Sequence, residues 1–177
     1  MDHEKMAEGR RRATEQRRIE QEQREAEEEA RRVEMEKQEQ NRREDWERRQ
    51  LEPEVIREFE QLEVQLKTFY DELSISSKKT PDGPLNKFKL KFVNDTLKKV
   101  NAILADTHRP FSDFELFSDA DLPSSSDAVL MLSHYLKSMD RFQNDHSHWM
   151  RAGISSVRYW CKKGDPLPDE KKEKEKD

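Results

Sequence analysis

The first fifty residues of this chain contain nothing from which a hydrophobic core can be made. Met1–Leu51 carries 14 Lys/Arg and 16 Asp/Glu, no proline and a single glycine, Gly9. Burial of apolar surface is the main driving force for folding, so a segment of this kind is either a solvated helix or an unfolded coil. Whatever packs must lie in the remainder. Most of the apolar side chains do, between Val55 and Trp160, a stretch of roughly a hundred residues that suffices for one small, marginally stable domain. The segregation hides in the average. Over 177 residues the chain is 41% charged and 32% hydrophobic, against about 25% and 45–50% in globular proteins.

Residues Glu4 to Gln50 favour helix by propensity, being mostly Glu, Arg, Gln, Lys, Ala and Met. Acid-to-base pairs at i, i+4 reinforce it: Glu8–Arg12, Glu20–Arg24, Glu27–Arg31, Glu28–Arg32, Glu39–Arg43, Glu44–Arg48 and Asp45–Arg49. Each contributes about 0.2–0.5 kcal/mol, enough together to support a marginal isolated helix. A coiled coil would need apolar a and d positions over several heptads, and Met6, Ala13, Ile19, Ala26, Ala30, Val33 and Met35 hold no register. The expectation is a single solvated helix about 70 Å long at ~1.5 Å per residue. It breaks at Glu52, because the residue before a proline avoids the helical region.

Beyond Pro53 the pattern changes. Val55, Phe59, Leu62, Leu66, Phe69 and Leu73 recur at alternating steps of four and three, a coiled-coil-type seam nearly three heptads long. This predicts an amphipathic helix whose seam either packs within the chain or associates with a second copy. Ser74–Pro84 reads as a loop, with Pro81-Asp82-Gly83 supplying a tight turn. From Lys87 to Phe92 polar and apolar residues alternate as in a strand. Over the longer window Leu85, Phe88, Phe92, Val93, Leu97, Val100, Ile103 and Leu104 fit one helical face, and a lone strand lacks a pairing partner. Helix is predicted over Leu85–Thr107.

His108-Arg109-Pro110 ends that helix. Phe111–Phe117, dense in aromatics, is expected to form one turn of helix plugging the core, and Ser118–Pro123 an acidic loop. Ser124-Ser125-Ser126-Asp127 resembles a capping box. It opens a helix over Ser126–Asn144 with a stripe of Val129, Leu132, Leu136, Met139 and Phe142. Trp149–Cys161 shows no firm period, and the charged, Pro-containing Gly164–Asp177 is expected to be disordered. The fold class predicted is all-α: a charged helical arm over 1–52, a small three-helix domain over 53–161 and a disordered tail over 162–177.

Catalytic and metal chemistry find little support. His134, His146, His148 and Cys161 are the main soft ligand types, with His3 and His108 apart from them. No spacing matches a zinc site, which takes four ligands when structural and three when catalytic. Cys161 with a histidine is the one conceivable nucleophile–base pair. The adjacent Lys162 and Lys163 favour its thiolate, yet no local signature surrounds it. The four glycines form no phosphate cradle. We therefore expect no catalytic residues, no metal and no cofactor. Ser112, Ser118 and Ser124 each precede an acid by three residues, which suits either an acidophilic kinase or a helix cap.

Lys87, Lys89, Lys91, Lys98 and Lys99, against Asp95, make the 85–104 segment basic. A basic amphipathic helix can lie on an anionic membrane or in a partner's groove. The plainer reading, favoured by the need to bury a core, makes its apolar face core and its lysines the solvated side. Nucleic-acid binding is disfavoured, since net charge is −5 and acids answer each Arg cluster, as Glu8 and Glu15 do for Arg10–Arg12. With one cysteine, no apolar leader and no run of ~18–20 apolar residues, the chain is expected to be cytoplasmic, or nuclear in a eukaryote. The leading expectation is a non-enzymatic adaptor or scaffold that binds a protein, homo-oligomerisation included. The alternative is a nucleic-acid-associated regulator using Arg10–Arg18 and the 85–104 lysines.

Overall fold

The computed structural model describes residues 2–118, 120–152 and 154–168, with side chains from Glu15 onward except at Ala152. The chain divides into two units, Met1–Arg48 and Arg49–Asp177. The first is formed by helix α1 (Asp2–Arg49), exposed at every residue from Glu15 to Asp45. Its arginines clamp acids on both sides. Arg18 pairs with Glu15 at 2.7 Å and Glu22 at 3.4 Å, and Arg32 with Glu29 at 2.9 Å and Glu36 at 3.8 Å. Arg32 thus takes Glu29 and Glu36 in place of the expected Glu28, while the expected Glu39–Arg43 pair forms at 2.9 Å. Exposed pairs of this kind contribute a few tenths of a kcal/mol each, about 0.3–0.5 at i, i+4, and they repeat along the helix.

The second unit contains α2 (Pro53–Lys79), α3 (Lys87–His108), α4 (Ser125–Asp145), β1 (Ser147–Ala152) and β2 (Ser155–Trp160). Pro53 occupies the first turn of α2, where its missing N–H costs nothing. The predicted loop over Ser74–Pro84 is corrected by the structure. Helix α2 continues to Lys79 and stops at Thr80, the residue that precedes Pro81. Asn86 caps α3, its Oδ1 accepting from the Lys89 N–H at 2.8 Å. Ser124 caps α4 in the same way, with its Oγ accepting from the Asp127 N–H at 3.1 Å.

Three helices build the core. Phe59, Leu62, Leu66 and Leu73 of α2 meet Val93, Leu97, Val100 and Leu104 of α3 and Ala128, Leu132, Tyr135, Met139 and Phe142 of α4. The Phe111–Phe117 segment forms no helical turn, contrary to the expectation. It lies as an extended bend with Phe114 and Phe117 packed against the core and Phe111 and Leu116 exposed. Two asparagines on α3 hold it. Asn94 donates to the Phe117 carbonyl at 2.9 Å and accepts from the Phe117 N–H at 3.1 Å, and Asn101 donates to the Glu115 carbonyl at 2.9 Å. Side-chain amides here supply the partners that a helical turn would have found within itself.

The all-α prediction is wrong. β1 and β2 form an antiparallel hairpin, in register from Ser147↔Trp160 to Ala152↔Ser155. The reason no period marks it is physical. Alternation is imposed only where one face of a strand is buried, and every described residue from Trp149 to Val157 is exposed. After β2, Leu51 bridges Lys162 in parallel, and Leu167 is buried. The tail predicted to be disordered over 162–177 is thus ordered in its first part, where Gln50 also donates to the Asp165 carbonyl at 2.8 Å, whereas residues 169–177 lie outside the described residues.

Candidate interaction surfaces

The α2 seam is committed to the core of its own unit. Phe59 and Leu66 are wholly buried and Leu62 and Leu73 nearly so, while Phe69 packs against them from the edge. At the first turn Ile56 takes the buried place and Val55 is only half covered. Phe59 anchors an aromatic group that joins three elements. It stacks on Phe142 with centroids 5.3 Å apart and meets Trp160 edge-on at 5.1 Å. Trp160 Nε1 donates to Glu60 at 2.9 Å.

The histidines act as brackets in this arrangement. His108 Nε2 donates to Asp145 at 2.9 Å, and His146 Nδ1 donates to the Arg49 carbonyl at 2.9 Å. Arg49 in turn donates to the carbonyls of Asp145 and Ser147. His134 meets Phe111 edge-on. His148 Nδ1 lies 3.6 Å from the Cys161 sulfur, so the structure does bring the thiol to an imidazole. That thiol is fully buried, whereas a working nucleophile needs access to its substrate. Among the described residues no group of three or more His, Cys, Asp or Glu side chains is placed to hold a metal ion.

The basic helix differs from its sequence reading in one respect. Its buried stripe is Leu90, Val93, Leu97, Val100 and Leu104, with steps of three and four. Phe88 and Phe92 are not part of it: they are 72% and 46% exposed and contact each other edge-to-face at 4.8 Å. Lys87, Lys89, Lys91, Lys98 and Lys99 are all exposed. The two phenylalanines fell on the predicted core face because an arc drawn through every apolar residue was too wide.

The hairpin is the second surface, in a segment where no period predicts a strand. Register places His148, Tyr159, Met150 and Val157 on one face and Ser147, Trp160, Trp149 and Arg158 on the other. The second face is fastened at its base. Arg158 donates to Gln143 at 2.6 Å and Asp140 at 3.2 Å, and lies 5.0 Å over the Trp149 ring. Beyond that base both faces carry exposed apolar side chains: Tyr159, Met150 and Val157 on the first, Trp149 on the second, and Ile154 at the tip. The available signal was Trp149, Val157, Tyr159 and Trp160, all strand formers, on either side of Gly153.

One charge near this surface is poorly placed. Burial pushes the Glu63 carboxyl above its ordinary value of 4.5, and Asp140 and Glu60 push the same way while Lys67 and Arg158 oppose them. The folded state thus binds this proton more tightly than the unfolded chain. Its stabilising effect is fully present below about pH 4.5 and is lost as pH rises through the folded value. Glu63→Gln is expected to raise stability at pH 7, read from urea unfolding, by less than about 1 kcal/mol, since the half-buried carboxyl is still screened by solvent. The advantage should vanish below pH 4.5; a constant difference across that range contradicts the assignment.

Comparison with known proteins finds no match: no family model, no curated protein and no solved structure is similar to this chain.

Proposed function

We propose that the chain is a non-enzymatic adaptor or scaffold, in which α1 provides reach and the hairpin receives a partner protein. The observation that carries this reading is the exposed first face of the hairpin. A two-stranded sheet is at best marginal by itself, and this one leaves Tyr159, Met150, Val157 and Ile154 in solvent. Among the described residues no third strand pairs with it. An extended segment with apolar side chains at alternate positions fits such a place, adding backbone hydrogen bonds along β1 and covering the apolar face. The long α1 supports the same reading, since from Glu15 to Asp45 its exposed, mutually paired charges gain nothing from burial and provide distance.

The test compares the full-length chain with a Met150→Lys/Val157→Lys variant of unchanged thermal midpoint. Proteins captured by the wild type are purified and titrated individually against both. At least one is expected to bind directly and to lose about tenfold in affinity or more with the variant, as an interface anchor does. Sedimentation equilibrium of the same pair covers the case in which the partner is a second copy. If no purified protein binds and the chain is monomeric, or if the variant binds equally well, the proposal fails.

A further inference from the structure

The outward face of α3 is not explained by a partner at the hairpin. At about 100° per residue, Phe88 projects almost directly away from the stripe of Leu90, Val93, Leu97, Val100 and Leu104, with Phe92 beside it. Lys87, Lys91 and Lys98 follow one flank of the ring pair, Lys99 lies alongside it and Lys89 occupies the other flank. Asp95, the lone acid between residues 87 and 104, projects on the same outward face at i±3 or 4 from Lys91, Lys98 and Lys99, and leaves that face net positive. Lys78 and Lys79 end α2 just before the short connection to α3, so they carry positive charge to the same end of the unit. The rings are thus a small apolar ridge between cations, on a helix held rigidly by its opposite face.

From this arrangement we infer that the outward face of α3 between Lys87 and Lys99 docks flat on an anionic lipid surface. The ridge is convex, so a folded protein would have to supply a matching groove, whereas a bilayer interface deforms around it. The lysine stems can lie along the boundary with their ammonium groups among the head groups while the rings enter the acyl region. Lasting attachment needs two signals, and this face has both, apolar anchors and a cationic cluster. Each lysine near an anionic surface strengthens partitioning by roughly fivefold. The chain's overall charge of −5 does not prevent this, because screening confines surface electrostatics to about 8 Å at physiological salt.

The experiment uses the full-length protein and vesicles of phosphatidylcholine, with and without about one third phosphatidylserine, in a cosedimentation assay. The wild type is expected to bind the anionic vesicles and not the neutral ones. Phe88→Ser/Phe92→Ser should weaken partitioning by roughly tenfold, from the loss of buried apolar area. Lys87→Gln/Lys91→Gln/Lys98→Gln/Lys99→Gln should weaken it by at least about a hundredfold. All six side chains are exposed, so unchanged thermal midpoints will confirm that both variants fold. Absence of wild-type binding, equal binding to neutral vesicles, or variants that bind like wild type each overturns the inference. So does tighter binding to a single-stranded oligonucleotide that is lost in the same variants, which assigns the face to nucleic acid.

Discussion

Phe59→Ala is expected to remove about 3–5 kcal/mol from the stability of the folded unit, the usual cost of emptying a large aromatic site in a core. The total for a domain of this size is about 5–15 kcal/mol, so the loss takes roughly a fifth of it or more. Phe59 is wholly buried, stacked on Phe142 of α4 and edge-on to Trp160 of β2. Its loss therefore removes packing between three elements at once. Urea denaturation followed by far-ultraviolet circular dichroism measures the total, and hydrogen exchange at β1–β2 amides shows whether the hairpin loosens first. A change under about 1 kcal/mol would place Phe59 outside the tightly packed core.

Asn101→Ala should produce the second large effect, about 2–4 kcal/mol, through polar groups left behind more than through lost volume. The Asn101 amide donates to the Glu115 carbonyl at 2.9 Å, and its oxygen accepts from the Tyr135 hydroxyl at 2.8 Å. Tyr135 is fully buried, and burial pushes its phenol pKa upward. Removing the amide strands a buried hydroxyl and frees a carbonyl, each costing about 1–3 kcal/mol. Tyr135→Phe alone should cost about 1 kcal/mol, the net value of one hydrogen bond. Combined with Asn101→Ala it should cost less than the sum, because the stranded hydroxyl is gone. Additive losses would show that the two side chains act independently.

The helical part of this fold was legible because its apolar residues are spaced for it. Phe59, Leu62, Leu66 and Leu73, and later Leu132, Met139 and Phe142, mark buried faces that the structure fills. Ser124 signalled its cap through Asp127 three positions on. What escaped was structure held by contacts that leave no periodicity. Asn94 and Asn101 pin the Phe111–Phe117 segment from a distance in sequence, so its aromatics suggested a helical turn that local pattern does not require. The hairpin escaped because no buried face imposes alternation on it. Phe88 and Phe92 were placed on the wrong side by counting apolar residues without asking how wide a face a three-helix core can cover. Both candidate surfaces lie where the pattern departs from that of a core, which is why the sequence treated them as noise or as packing.

The short bridge at Leu51 has a mechanical consequence. Its N–H donates to the Cys161 carbonyl at 2.8 Å, and its carbonyl accepts from the Lys163 N–H at 2.9 Å, with the two segments running parallel. Tension applied to the chain before Leu51 and after Lys163 pulls these parallel segments in opposite directions along their length. Both hydrogen bonds then bear load together instead of opening in turn like a zip. Both must therefore break at once before load applied at these two ends passes to the helices.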